Sequence, residues 1–387
     1  MKSRIAVAVS TLAILIATLH SGGRTLPYGW SFSLTSGEAA LAELIQNLLL
    51  FIPLGVSLTL AGVRPRRAIL LGALLSFTVE FVQQWIPGRD PSVGDIVCNT
   101  ASTALGVALV RFAPRWLMAS PERSAWQAAG TAAVAVLVWI VTGALLRPTF
   151  PPPPYHDVRR PDLPELSRYE GQVLQVLWSN EALKVVATAP PLPPERAAPL
   201  VAIVDQHDTP VLIFSVDGHD LALRYHMPAA RLTLAQPDLR WRGVLTAIAP
   251  ADSFTAGTWR DAHGVCLGLR TVEHCALGYT LGDAWKLIFY PERFPGWLLA
   301  MINSLWIAGC VIGVGYWAAK GRGERLRDEV TGAAIGLVGL GLLLVPLITS
   351  LKMTPVNEWI GAVSGLVIGW WIGIRVLKDR LGYIERP

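Results

Sequence analysis

Glu80, Gln83, Arg89, Asp95 and Asn99 lie within twenty residues of one another in a stretch that is otherwise mostly apolar, and Asn47 precedes them in similar surroundings. Ionisable and amide groups are costly inside a membrane span, so they usually have partners or a task there. Two carboxylic acids are the residue types that serve as general acid and base. A guanidinium beside a carboxylate in a poorly hydrated place pairs strongly and keeps both charged. Together the six side chains suit a pocket for a polar head group or a lipid-linked sugar, or a site of acid–base chemistry. No P-loop, dinucleotide fingerprint, HExxH or GxSxG accompanies them, so the residues assign no reaction, no metal and no cofactor.

Spacing says which elements must hold these groups. Gln83 and Gln84 follow Glu80 by three and four, which puts all three near one helical face, and Asn99 follows Asp95 by four. Pro87-Gly88 ends the first of these helices, Arg89 and Asp90 form a short turn, and Ser92-x-x-Asp95 opens the next in the manner of a capping box. That start needs no chemistry, and Arg89 beside Asp90 also reads as a solvated loop pair of little energetic worth. Gln84 and Asn99 could equally bridge helices.

Eight apolar segments qualify or nearly qualify as spans, at about Ile5–Leu19, Leu41–Gly62, Ala68–Ile86, Ile96–Phe112, Ser124–Leu146, Gly296–Ala319, Val330–Leu351 and Trp359–Val376. The first lacks an Ala-x-Ala cleavage site and reads as an uncleaved anchor. With the N-terminus inside, the inner segments carry 16 Lys/Arg and the short outer loops carry three (Arg24, Arg89 and Lys352), which fits eight spans with both termini cytoplasmic. The composition agrees. The chain is 52% hydrophobic and only 16% charged over 387 residues, with mean hydropathy +0.44, which excludes a single soluble domain and a disordered chain. The polar set then lies toward the outer side. Clustered on one side, it outlines no through-path for transport.

Residues 147–168 form a Pro-rich linker, RPTFPPPPYHD at its start, expected to be extended. Residues 169–294 change to period-2 patterning. LIFSVDGHDLALRY alternates around Asp217-Gly218, and RLTLAQPDLRWRGVLTAIA, VCLGLRTV and WKLIFY read as further strands of an antiparallel, jelly-roll-like β-sandwich outside the cytoplasm. The fold class is thus a polytopic α-helical membrane protein of about eight transmembrane helices with an inserted all-β domain. Residues 1–146 form an N-terminal five-helix region and residues 295–387 a C-terminal three-helix region. The long outer segment holds 14 Lys/Arg against 16 Asp/Glu, so the net charge of +5 resides on inner loops and nucleic acid is excluded as a partner.

Cys266 and Cys275, nine apart in the outer domain, are candidates for a disulfide; Cys98 and Cys310 fall in apolar spans as core residues. Six of the seven histidines lie in the outer domain (His156, His207, His219, His226, His263 and His274). Asp205-Gln-His207-Asp208 and Asp217-Gly-His219-Asp220 could look like metal ligands, and Asp205, Asp208 and Asp217 could hold a calcium ion, but their strand-and-turn setting reads as exposed turn residues. Asn303, Lys352, Asn357 and Glu358 fall at or near span ends, and the last three helices read as a scaffold.

Residues 41–112 resemble the VanZ-like family of membrane proteins. The resemblance rests on Asn47 with Phe51–Gly55 (FIPLG), Glu80–Gln83 (EFVQ), Pro87–Arg89 (PGR), Ser92–Asn99 (S-x-x-D-I-x-x-N) and Gly106. Ser102 stands where that family often has Gly, which is expected to loosen close helix packing. The family name implies a link to resistance against glycopeptide antibiotics of the teicoplanin type, and the resemblance places the chain in a bacterial inner membrane. More loosely, the outer domain around Val211–Gly218 is similar to laminin-G/concanavalin-type sandwiches, which implies a glycan or an envelope protein as its partner. The expected function is recognition of, or action on, an envelope glycolipid or lipoglycopeptide-like amphiphile. The alternative is a structural envelope protein without catalytic activity.

Overall fold

The computed structural model describes residues 2–19, 30, 40–89, 91–163, 166–179, 182–261, 264–290 and 294–384. Arg24, Asp90, His263 and Arg386 lie outside the described residues. The chain divides into two compact units, one of residues 1–122 with 232–235 and one of residues 123–231 with 236–387.

The first unit holds four helices, α1 (Lys2–Thr18), α2 (Ala40–Leu60), α3 (Pro65–Gln83) and α4 (Val93–Leu117). Pro65 sits in the first turn of α3, where a missing N–H costs nothing. Pro53 lies inside α2, which continues through it. Ile14, Phe51, Leu54, Leu58, Ala68, Val79 and Val107 form one buried core drawn from all four helices. Helices α2 and α4 cross at Gly55 and Gly106. A Cβ on Gly55 would fall on the Thr103 carbonyl oxygen, and one on Gly106 on that of Ile52. Only small residues allow backbones this close, as is usual where helices pack in membranes. Ser102 does not loosen this crossing. It is fully buried and its hydroxyl donates across the crossing to the Leu48 carbonyl of α2.

The second unit holds α5 (Pro121–Leu145), ten strands, the four-residue α6 (Pro228–Arg231), and α7 (Gly296–Lys320), α8 (Arg325–Ile348) and α9 (Val356–Ile384). On α9, Gly361, Gly365, Gly369 and Gly373 recur every four residues, and α7 backbone at Ser304, Ala308, Ile312 and Tyr316 occupies the space their side chains would fill. Helix α8 packs its Gly341 against Val136 and Trp139 of α5.

Among the described residues, six helices are long and apolar enough to cross a membrane: α2, α4, α5, α7, α8 and α9. The sequence reading of eight counted two more. Helix α1 has 17 residues, just short of a full crossing, and α3 carries Arg66, Arg67 and Glu80 within 19 residues.

The strands form two five-stranded antiparallel sheets, consistent with a sandwich. One has the order β1 (His156–Arg159), β4 (Ala198–Val204), β5 (Pro210–Asp217), β6 (Asp220–Tyr225), β7 (Leu239–Trp241). The other runs β10 (Val272–Leu277), β9 (Gly264–Leu269), β8 (Ser253–Asp261), β3 (Ala182–Thr188), β2 (Val173–Trp178). Every residue of β4 is buried. The β5–β6 hairpin turns at Gly218, whose φ of +59° favours glycine, with Asp217 opposite Asp220. Two expected strands come out differently. In the 231–249 stretch only Leu239–Trp241 forms a strand, since Pro237 offers no ladder donor and Val244–Ala247 winds into a 3-10 turn. The 285–290 stretch is likewise not a strand. Residues Leu281–Leu287 form a 3-10 helix, because Thr280 and Asp283 close a reciprocal capping box at its start. A disulfide joins Cys266 of β9 to Cys275 of β10; Cys98 and Cys310 are free and half-buried.

Candidate functional site

In the first unit, the end of α3 and the start of α4 place Glu80 and Asp95 on either side of the 84–92 turn. Glu80 is only 2% exposed, and its Oε2 accepts the Ser92 backbone N–H at 2.8 Å. The Ser92 hydroxyl makes no cap, so the capping-box reading of this helix start is replaced by a long-range one in which a buried carboxylate receives the amide just ahead of α4. Asp95, in the first turn of α4, accepts Asn47 Nδ2 of α2 at 2.7 Å. Asn99 is one turn deeper and buried. Its Nδ2 donates to Ser76 Oγ of α3 at 3.0 Å, while its Oδ1 has no hydrogen-bond partner among the described residues. Asn47, Asp95 and Asn99 thus tie α4 to both α2 and α3.

Gln83 and Arg89 point elsewhere. Gln83 Nε2 donates to the Thr18 carbonyl at the end of α1 at 3.0 Å, and Arg89 Nη2 reaches the Ala17 carbonyl at 3.5 Å. Both therefore join the α3–α4 turn to α1, with Arg89 also within electrostatic reach of Glu80 and Glu43. Gln84 does not join the set and bonds the Phe81 carbonyl of its own helix at 3.0 Å. The arrangement offers a buried carboxylate, a second acid and an unmet amide oxygen close together. That is chemistry for recognising hydroxyls and cations, or for moving a proton.

The aspartates of the β domain are engaged separately. Asp205 Oδ1 accepts the His207 and Thr209 amides at 2.9 Å each, and these bonds hold its carboxyl below the usual range. Asp208 pairs with His156 at 3.3 Å, and Asp217 with Arg240 at 2.6 Å. Among the described residues, no three of these groups gather around one point. The only such cluster among the described residues is Asp261, Cys266 and Cys275, whose two sulfurs are already bonded to each other.

A second polar cluster escaped the reading of the C-terminal helices as plain scaffold. Asn303 of α7 is buried; its Oδ1 accepts Trp285 Nε1 at 2.7 Å and its Nδ2 donates to Asp283 Oδ1 at 2.9 Å. Glu358, in the first turn of α9, is fully buried; its Oε1 accepts the Thr280 hydroxyl, while its Oε2 has no partner among the described residues. Lys286 Nζ lies 2.6 Å from Asp283 Oδ1. Burial alone would raise the Asp283 carboxyl; Lys286, the Thr280 amide and Asn303 outweigh it and hold it below the usual range. The signal was present in Thr280-x-x-Asp283 and in two polar residues set in apolar helices.

Residues 7–114, just over a quarter of the chain, match the protein family described as VanZ/LLP1. The matched segment takes in α2, α3, most of α1 and nearly all of α4, and with them all six polar residues. No curated protein and no solved structure matches the chain.

Proposed function

We propose that the VanZ-like segment binds, or acts on, an envelope glycolipid or a lipoglycopeptide-like amphiphile through Asn47, Glu80, Gln83, Arg89, Asp95 and Asn99. The observation that carries this reading is the buried Glu80 carboxylate held on the Ser92 amide beside the Asn47–Asp95 pair and the unmet Asn99 oxygen. Its setting is a bacterial inner membrane crossed eight times, with both termini cytoplasmic and residues 147–294 outside. The bias of Lys/Arg to one set of loops supports that orientation. Helices α1 and α3 share a buried core with α2 and α4, which supports counting them as spans. The disulfide fits an oxidising compartment. The family is associated with glycopeptide resistance, so a teicoplanin-type molecule is one ligand to try. The β domain would add recognition of a glycan or an envelope protein.

The test is binding of a polyprenyl-diphosphate-linked disaccharide, and of teicoplanin, to the full chain in nanodiscs. Glu80→Gln and Asp95→Asn are each expected to weaken binding at least tenfold. Equal binding by all three proteins would sink the proposal.

A second reading has its own support. Asn47–Asp95, Glu80–Ser92 and Asn99–Ser76 each pair within the helix bundle, as a purely structural lock would. In that case Glu80→Ala would deplete folded protein from the membrane, and the β domain would serve to dock an envelope partner.

A further inference from the structure

Between the two sheets of the β domain lies a cavity of about 440 Å³. That is within the range of about 300–1,000 Å³ found for small-molecule sites. Strand register says which side chains face it. On one sheet Leu212 stands opposite Tyr225 on one side and Ile203 on the other. On the other sheet Leu183 stands opposite both Trp178 and Thr258. Side chains alternate along a strand, so Arg260 shares the face of Thr258, two residues on.

The cavity is walled mostly by aliphatic and aromatic groups, with Tyr155, Ser179, Tyr225 and Arg260 supplying its polar ones. The Phe150 ring packs edge-on to Tyr225 at 5.9 Å and is itself 55% exposed. Burial raises the Tyr225 phenol, with the nearby Arg260 guanidinium opposing that rise. Thr258 is 3% exposed; its hydroxyl reaches toward Tyr225 without closing a hydrogen bond of normal geometry. Arg260 is exposed and forms no ion pair among the described residues.

Most of the wall is apolar, which suits a hydrocarbon chain, and the Arg260 guanidinium at the cavity suits one anionic head. Position supports a membrane source. Phe150 follows the last residue of α5, a helix long and apolar enough to span, by only five residues. That tether reaches at most about 17 Å.

We infer that this inter-sheet cavity binds a single-chain anionic amphiphile, its hydrocarbon tail between Tyr225, Leu212, Trp178 and Leu183 and its carboxylate or phosphate on Arg260. This deepens the proposed function by naming what the β domain takes from the membrane, and it rests on the view that the chain handles an amphiphile there.

The test uses the full chain in nanodiscs and photo-crosslinking with a diazirine-bearing palmitate, read by mass spectrometry of the labelled peptides. Label is expected on peptides containing Trp178 and Tyr225. A diazirine-bearing fatty alcohol should label them about tenfold less, the worth of one charge-assisted contact. Arg260→Gln should erase that difference, and Ala182→Trp, at an exposed position on the cavity wall, should abolish labelling by both probes. Excess unlabelled palmitate should compete and excess soluble disaccharide should not. Labelling of these peptides no stronger than in Ala182→Trp, equal labelling by acid and alcohol, or competition by the disaccharide would each overturn the inference. Arg260→Gln changes an exposed side chain and keeps the comparison open if Ala182→Trp does not fold. Lysophosphatidic acid as competitor distinguishes a phosphate head from a carboxylate. Glu80→Gln and Asp95→Asn leave this labelling unchanged, so failure of the polar set and failure of the cavity are separable.

Discussion

The Asn47–Asp95 hydrogen bond should couple α2 to α4 by a measurable amount. At 2.7 Å it is at the short end of the range for an ionised acceptor. Hydrogen bonds between helices in membranes average about 0.6 kcal/mol and reach about 1.7 kcal/mol. A carboxylate acceptor belongs near the top of that range, at about 1.5 kcal/mol, whereas a neutral acid belongs near the average. Asn47→Ala should then cost about 1.5 kcal/mol. Asp95→Ala should cost more, because the same carboxylate lies in the first turn of α4 and gains about 0.3–1 kcal/mol from the helix N-terminus. The double variant should cost no more than Asp95→Ala, since the shared bond is lost only once. The assay is a double-mutant cycle on the full chain, unfolded reversibly in mixed micelles with a rising SDS fraction. A coupling of about 1.5 kcal/mol identifies an ionised Asp95, and about 0.6 kcal/mol a neutral one. Losses that simply add, within about 0.3 kcal/mol, would refute the reasoning that this pair joins the helices.

Gly55→Ala should force α2 and α4 apart, because its new methyl would land on the Thr103 carbonyl, at a cost of about 1–3 kcal/mol in the same unfolding assay. Asp238 is buried between Arg224 at 2.7 Å and Arg240 at 3.1 Å. Burial alone would raise its carboxyl, but the two guanidiniums hold it below the usual range. With the folded value depressed, its contribution is fully present above the unfolded value of about 3.9 and is lost as pH falls through the folded one. Asp238→Asn should therefore cost about 3 kcal/mol at neutral pH, with the penalty shrinking below about pH 4, as measured by urea unfolding at a series of pH values.

Hydropathy and charge made the helices and the β insert legible, because both depend on composition over windows of many residues. The helical spacing of Glu80 with Gln83 and of Asp95 with Asn99 was legible too. Their partners were not. Nothing local to Glu80 says that it will receive the Ser92 amide, and nothing local to Gln83 says that it will reach Thr18 on α1. Those bonds depend on how helices cross, which one sequence does not encode in any short window. The failure at WKLIFY was different in kind. Its apolar and aromatic residues mimic a strand, and the competing signal was the Thr280–Asp283 cap just upstream. The four-residue glycine spacing of α9 is also present in the sequence, where the surrounding hydrophobic residues mask it as an ordinary apolar run.

The cluster at Thr280, Asp283, Asn303 and Glu358 has a bearing on how the protein is made. Glu358 follows Thr280 by 78 residues, with α7 and α8 between them. A chain emerging from its N-terminus has made every strand of the β domain long before Glu358 is synthesised. Until α9 is inserted, the Thr280 hydroxyl and Asn303 have Asp283 but lack Glu358, and the 3-10 turn of Leu281–Leu287 lacks one wall. Completion of the β domain therefore waits on insertion of the last helix. A chain truncated before Val356 would carry an unsealed domain for quality-control proteases to recognise.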